Sequence, residues 1–303
     1  MAAAGQGGAA LSGRSTPTFL GIDVGTSGVR ACLIDRQAAE IATCHTPLPE
    51  PRRIGTGIEQ DPDLWWQALD RVLRDLGGRG LLREVAALAV DGTSATLLAC
   101  AADGRPLAPA LMYNDSRAAA EAERIGGLAP RDSGAHGASA GLAKALWLSA
   151  RLAGQPVRHL LHQADWLTGQ LCGHFGISDE NNALKLGYDP IARRWPAWLD
   201  KTGLMRDWLP EVFAPGTRIG TLLPQWAERW SMPRTTVCAG TTDSTAAFLA
   251  TGAERIGQAV TSLGSTLVLK VLAERPVFAP EYGVYSHRLG ERWLVGGASN
   301  SGG

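Results

Sequence analysis

Residues 19–34 read FLGIDVGTSGVRACLI, and residues 258–273 read QAVTSLGSTLVLKVLA. Each is an apolar strand, a turn of glycine and hydroxyl residues, and a second apolar strand. Laying Gly25 on Gly264 puts Thr26 over Ser265 and Ser27 over Thr266. One such turn is what an ordinary β-hairpin uses. Two of them near opposite ends of the chain, each opening a new run of strands, imply duplicated domains facing one cleft.

Working outward, Asp35-Arg36-Gln37 turns the chain into a third strand near Ile41–Cys44. Asp61 is a natural N-cap and Pro62 suits the first helical position. Trp65, Ala68, Leu69, Val72, Leu73 and Leu76 then recur at helical spacing, which predicts an amphipathic helix. Val85–Val90 reads as a buried strand ending at Asp91, and Thr96–Cys100 as another, closed by Asp103-Gly104-Arg105-Pro106. Helices are expected near 142–152 and 164–171, a short strand at 236–239, and an apolar helix at 244–250. Strands that first hairpin and then alternate with helices give an α/β domain with a mixed sheet.

Bulk composition narrows the function. With 45% hydrophobic residues in 303, the chain can bury a substantial core. Lysine plus arginine and aspartate plus glutamate both number 29, so the net charge is zero, which argues against nucleic acid as a partner. No apolar run reaches the ~18 residues of a membrane span. Cys32, Cys44, Cys100, Cys172 and Cys238 are widely spaced without C-x-x-C. They fit a reducing compartment, cytoplasm or organelle stroma, rather than a disulfide framework. The Ala/Gly/Ser-rich residues 1–17 lack a signal peptide's apolar centre and read as a disordered tail, with a targeting remnant as the alternative.

Neither G-x-x-x-x-G-K-[ST] nor G-x-G-x-x-G occurs. The first hairpin offers Asp23 just ahead of Gly25-Thr26-Ser27 instead. Glycine lets backbone N–H groups approach phosphate oxygens, the hydroxyls add hydrogen bonds, and the carboxylate can hold Mg²⁺ through water. The same residues also make a plain tight turn, and both readings stand. Asp243, between a strand and a helix, reads either as a proton acceptor for an attacking hydroxyl or as a helix cap. Asp91-Gly92-Thr93-Ser94 ends a buried strand, where α/β proteins place ligand groups. Tyr113-Asn114-Asp115-Ser116-Arg117 is a second polar cluster. His159, His162, Cys172 and His174 lack the paired spacing of a zinc site and read as structural.

Together these segments resemble the FGGY family of carbohydrate kinases. GIDVGTSGVRACLID is similar to that family's first phosphate motif, CAGTTDSTAAFLATGA to the segment carrying its catalytic aspartate, and TSLGSTLVLK to its second phosphate motif, in the same order. VDGTSATLL, QADWLTGQL, SDENNALKLGYDP and GVYSHRLGERWLVGGASNSGG resemble most closely the D-ribulose kinase branch of plants and cyanobacteria.

The resemblance implies an α/β, actin-like ATPase fold of two ribonuclease-H-like domains. Residues 18–253 would form the complete first domain, and 254–303 only the start of the second. ATP and Mg²⁺ are the implied cofactors and a small-molecule sugar the implied partner. By the match, Asp243 is the general base and Asp23 helps place Mg²⁺. Gly25, Thr26, Ser27, Gly264, Ser265 and Thr266 contact ATP phosphates, and Ser94 contacts the sugar together with Asp243. The expected reaction is ATP + D-ribulose → ADP + D-ribulose 5-phosphate. The alternatives are a kinase for another ketose or polyol such as D-xylulose, and a non-catalytic sugar-binding or regulatory kinase half. Many xylulose kinases of the family carry Met-His-Gly where this chain has Ser94-Ala95-Thr96, which favours ribulose. The family's downstream glycine-rich adenosine segment has no counterpart before Gly303, so the chain reads as a C-terminally truncated fragment.

Overall fold

A computed structural model of the chain describes residues 16–263, 267–279 and 282–299. The tail expected over residues 1–17 lies outside the described residues apart from Thr16 and Pro17.

The first hairpin forms as read, from β1 (Thr18–Val24) and β2 (Gly28–Ile34), followed by β3 (Glu40–Pro47), β4 (Arg52–Ile54) and β5 (Gly57–Gln60). Then come α1 (Pro62–Gly78), β6 (Val85–Gly92), β7 (Leu97–Cys100), β8 (Ala110–Leu111), α2 (Ala119–Gly126) and α3 (Gly141–Arg151). The middle of the chain supplies β9 (His159–His162), α4 (Gln163–Cys172), β10 (Ile177–Asp179), α5 (Glu180–Ala183), β11 (Glu211–Phe213) and β12 (Arg218–Thr221). It continues with α6 (Pro224–Trp230), β13 (Thr236–Thr242) and α7 (Asp243–Ala250). Four further strands follow: β14 (Ala259–Leu263), β15 (Leu267–Ala273), β16 (Val284–Leu289) and β17 (Arg292–Ser299).

The central sheet has six strands in the order β12-β13-β6-β1-β2-β3. Its hairpin half is antiparallel, while β1–β6 and β6–β13 are parallel, so this is the mixed sheet that the sequence implies. The parallel strands bring Val24, Gly92 and Thr242 level with one another at one edge. Ligand groups in α/β sheets gather at such carboxyl ends.

Helix α1 starts as its sequence dictates. The Asp61 carboxylate accepts from the Asp63 N–H at 3.0 Å, and Pro62 opens the first turn. Its apolar stripe of Trp65, Ala68, Leu69, Val72, Leu73 and Leu76 is buried in the core that includes β2. Fully burying each of its larger aliphatic side chains stabilises the fold by about 1.5–3 kcal/mol.

One strand runs further than expected. The segment read as 236–239 continues to Thr242, and β13 slips by one residue against β6 between Cys238 and Thr241. This is a β-bulge, a device that re-aims side chains beside functional sites. Gly240 permits it: a Cβ there would stand 1.7 Å from the Val90 carbonyl oxygen. A five-stranded sheet, β4-β5-β8-β7-β9, forms beyond the central one from strands too short to show a period of two.

The strands after α7 make a separate sheet, β14-β15-β17-β16. Its fully buried apolar cluster contains only Phe248, Leu272 and Leu294 among the described residues. Leu263 is 79% exposed and Leu269 48%. Among the described residues no helix is long and apolar enough to cross a membrane.

Candidate active site

Strand register brings three carboxylates to one edge. Asp23 on β1 pairs in register with Asp91 on β6, and Asp91 pairs with Thr241 on β13, two residues before Asp243. Burial pushes the Asp91 carboxyl up to about 8, helped by the charges of Asp23 and Asp243 and by a hydrogen bond with Asp23. Its Oδ1 is buried without a hydrogen-bond partner. Burial likewise raises Asp243, with Asp23 adding to the rise, while the Ser244 N–H and the Lys270 ammonium oppose it. The sequence singled out the 91–94 stretch without giving Asp91 a role. The signal is a carboxylate at the end of a buried strand, and its meaning appears only with its two neighbours.

The cap reading of Asp243 does not hold. The N-cap of α7 is Thr242, and Asp243 is the first helical residue. Asp243 Oδ1 accepts from the adjacent Ser244 N–H at 2.6 Å. Thr242 instead bonds Thr245, hydroxyl to hydroxyl, at 3.0 Å.

The Ser94 loop is braced from three sides. Gln163 Oε1 accepts from the Thr93 N–H at 3.1 Å and from its hydroxyl at 2.9 Å. The Thr93 and Thr96 hydroxyls lie 2.5 Å apart. Ala95 takes a positive φ of 66°, a conformation disfavoured for an alanine. Its carbonyl accepts from the fully buried Lys144 ammonium at 2.9 Å, and the same ammonium reaches the carbonyls of Met112 at 2.7 Å and Tyr113 at 3.2 Å. Burial pulls Lys144 down to about 7, with the Asp115 charge opposing. Ser94 Oγ, at the centre of this frame, is buried and has no partner. Lys144 lay unread in the sequence, since a lysine in an apolar helix gives no sign of three distant carbonyls.

The first hairpin turn closes through a Gly25 N–H bond to the Gly28 carbonyl at 3.0 Å, leaving Gly25 and Thr26 half-buried and Ser27 exposed. Gly264, Ser265 and Thr266 lie outside the described residues. From β15, the buried Lys270 ammonium donates to Ser244 Oγ at 2.9 Å. Burial lowers it to about 8, and Asp243 holds it up. The Asn181 amide donates to Thr241 Oγ1 and to the Arg288 carbonyl, both at 3.0 Å, tying the strand end to the second sheet. The histidines are structural: buried His162 pairs its Nδ1 with Asp165 Oδ2 at 3.0 Å, and His174 Nδ1 meets the Ile219 carbonyl oxygen at 3.2 Å. Among the described residues no three His, Cys, Asp or Glu side chains gather to hold a metal ion by themselves.

Comparison with known proteins identifies the family and the fold. The family model described as "FGGY family of carbohydrate kinases, N-terminal domain" matches residues 18–250. A xylulose kinase of Escherichia coli (strain K12) is 32% identical over 289 residues, covering 91% of this chain and 59% of that protein. A xylulose kinase of Klebsiella pneumoniae is likewise 32% identical, over 91% of this chain and 59% of its own length. The chain thus spans about three-fifths of the length of these relatives. A crystal structure of a "xyloylose kinase" from Brucella ovis superposes with a TM-score of 0.86 at 27% identity, covering 94% of this chain and 61% of that one. A gluconate kinase from Lactobacillus acidophilus superposes equally well, at 0.86, with 19% identity over 95% of this chain and 61% of its own, a likeness of fold. The actin-like ATPase fold expected from the motifs is the fold of these sugar kinases. These two sequence relatives are xylulose kinases, whereas the connecting stretches suggested D-ribulose kinases.

Proposed function

The chain belongs to the FGGY family of carbohydrate kinases, and from that premise we propose that the protein carrying it transfers the γ-phosphoryl group of ATP to a ketopentose. The observation that supports this most is the convergence of Asp243, Asp91 and Asp23 at the ends of three adjacent parallel strands. Asp243 Oδ1 is held by the Ser244 N–H, so Oδ2 is the oxygen that takes the proton of the attacking hydroxyl. The Ser94 hydroxyl, fixed by its braced loop and lacking a protein partner, binds and orients the sugar beside it. Gly25, Thr26 and Ser27 receive the phosphates, and by the sequence match Gly264, Ser265 and Thr266 receive them as well.

The donor set fits Mg²⁺. Asp23 is partly open to solvent and Asp91 Oδ1 lacks a partner, so both offer hard oxygens without forming a closed cage. Mg²⁺ favours such sites, keeping several waters and sharing substrate phosphates. When bound, it supplies neutralisation of phosphate charge.

D-Xylulose is the acceptor to which the names of the sequence relatives point. D-Ribulose is the second reading. It is carried by Ser94-Ala95-Thr96, which lacks the imidazole that many xylulose kinases carry there in a Met-His-Gly run. Release of ADP by the full-length protein with D-xylulose, D-ribulose, L-ribulose and polyols tests the class and the sugar together. A ketopentose should exceed every polyol by about tenfold or more, a margin that a site built to bond specific hydroxyls can reach. Turnover with D-ribulose well above D-xylulose would select the second reading. Sugar binding without any turnover would mean a non-catalytic sugar-binding protein.

A further inference from the structure

We propose that Lys270 is a further catalytic residue, whose ammonium contacts the phosphoryl group in transit beside Asp243. This rests on the kinase reading above.

The argument begins with charge. The carboxylates of Asp23 and Asp243 meet beside Asp91 at one edge, and a γ-phosphoryl group entering there carries charge of the same sign as theirs. Phosphoryl transfer depends on positioning and on neutralising that charge. Arg30 stands 4.0 Å from Asp23, but its side chain is 58% exposed and screened by water. At Asp243 the cation is Lys270, 6% exposed.

The second sheet is shaped to deliver it. Lys270 on β15 is paired with Gly296 on β17. A Cβ at Gly296 would lie 2.3 Å from the Leu269 carbonyl oxygen and 2.9 Å from Lys270 Cγ, so glycine clears the path of the lysine stem. The stem ends with Nζ 2.9 Å from the hydroxyl of Ser244, the residue after Asp243. No carboxylate lies within ion-pair distance of Lys270 among the described residues. An ammonium has three donors, and a neutral hydroxyl takes one. Burying it so incompletely partnered is costly, and its lowered affinity for a proton reflects that cost. Phosphoryl oxygens would satisfy the remaining donors.

In the step itself the sugar hydroxyl oxygen bonds to the γ-phosphorus. The bond from that phosphorus to the bridging oxygen breaks, and its electron pair leaves on ADP. The hydroxyl proton passes to Asp243. Lys270 makes and breaks no covalent bond; it offsets the charge on the non-bridging oxygens.

Calorimetric titration of the 303-residue chain with inorganic phosphate at neutral pH tests the contact without requiring turnover. Lys270→Met should weaken phosphate binding about tenfold or more, as loss of a charged hydrogen bond does, and Lys270→Arg should restore most of it. Two controls separate the contact from generic effects. Lys185→Met removes the same charge from a lysine stacked 3.9 Å over the Tyr285 ring, and Ser244→Ala removes the neutral partner while keeping the ammonium. Either control matching the Lys270→Met loss, or no phosphate binding by the unaltered chain, overturns the proposal. In the full-length protein, Lys270→Met should lower kcat about a hundredfold to a thousandfold with KM for the ketopentose little changed. If the unaltered full-length protein phosphorylates no sugar, the kinase reading fails, and the phosphate titration still judges the contact.

Discussion

Residues 18–250 and the four strands that follow handle apolar surface in opposite ways. The first region packs α1, α4 and α6 against its central sheet, and side chains such as Leu69, Val72, Leu73 and Leu76 are wholly buried. In the second sheet, β15 reads LVLKVLA, apolar at every position but Lys270. Yet Leu272 is buried while Leu269 stays half exposed. A run of that kind suits a strand covered on both faces. The difference teaches that strand sequence records how much cover a strand can use, and packing records how much it receives. The candidate site lies at the seam: the first region supplies the acids and the second sheet supplies Lys270.

The sharpest way to break this division of labour is to remove the proton acceptor from the first region. Asp243→Asn in the full-length protein should lower turnover by about a hundredfold to ten-thousandfold, with sugar affinity within a few fold, read from steady-state kinetics and calorimetry. Near-normal turnover would strip Asp243 of its role.

Core truncations probe the packing contrast directly. Leu73→Ala should cost about 2–5 kcal/mol in urea unfolding. Leu269→Ala, at a half-exposed position, should cost about 0.5 kcal/mol or less. Comparable costs would mean that the second sheet is as fully covered as the first.

Asp91 gives a pH signature. Its folded value of about 8 lies above its unfolded value of 3.8, so the folded chain keeps a proton that the unfolded chain releases. The stability from this is fully present below about pH 4 and is lost as pH rises through about 8. Asp91→Asn cannot ionise and should flatten that decline. We expect a melting temperature about 5 °C above the unaltered chain at pH 8.5, for a gain of about 1–3 kcal/mol, and little difference at pH 4. Equal pH profiles for the two proteins would show that Asp91 is not held protonated.

The smallest effect concerns association. Exposed Leu263 and Leu269 leave an apolar surface on the second sheet, and such patches favour self-association. Leu263→Lys combined with Leu269→Lys, or ending the chain near residue 253, should lower concentration-dependent association in sedimentation velocity. No change would mean that this face contributes nothing to it.

Much of this was legible in the sequence because the deciding signals are local. The Asp61-Pro62 start of α1, the period of its apolar stripe and the first hairpin depend on neighbours within a few residues. Asp23 and Asp243 were found through motif order. What stayed hidden depends on distant pairing. Asp91 gains meaning only beside Asp23 and Asp243, Lys144 only from carbonyls dozens of residues away, and Lys270 only from the hydroxyl of Ser244. The short strands of the five-stranded sheet carry too few residues for alternation to register. The specific sugar was the least legible of all. The loop we propose to read it, around Ser94, is held in shape by Gln163 and Lys144 rather than by its own sequence alone.

The slip between β13 and β6 makes length, rather than chemistry, the quantity to which the candidate site is most sensitive. Strand side chains alternate sides with a period of two, and the extra residue near Gly240 sets the count from Cys238 to Asp243. Deleting one residue from 239–240 would let the ladder run on regularly and bring Asp243 round to the opposite side of its strand end. Every side chain named in the site would still be present in the sequence, and a comparison of composition or of motif letters would register almost nothing. An in-frame loss of a single codon here would therefore disconnect Asp243, the proposed proton acceptor, from its neighbours without changing the identity of any of them.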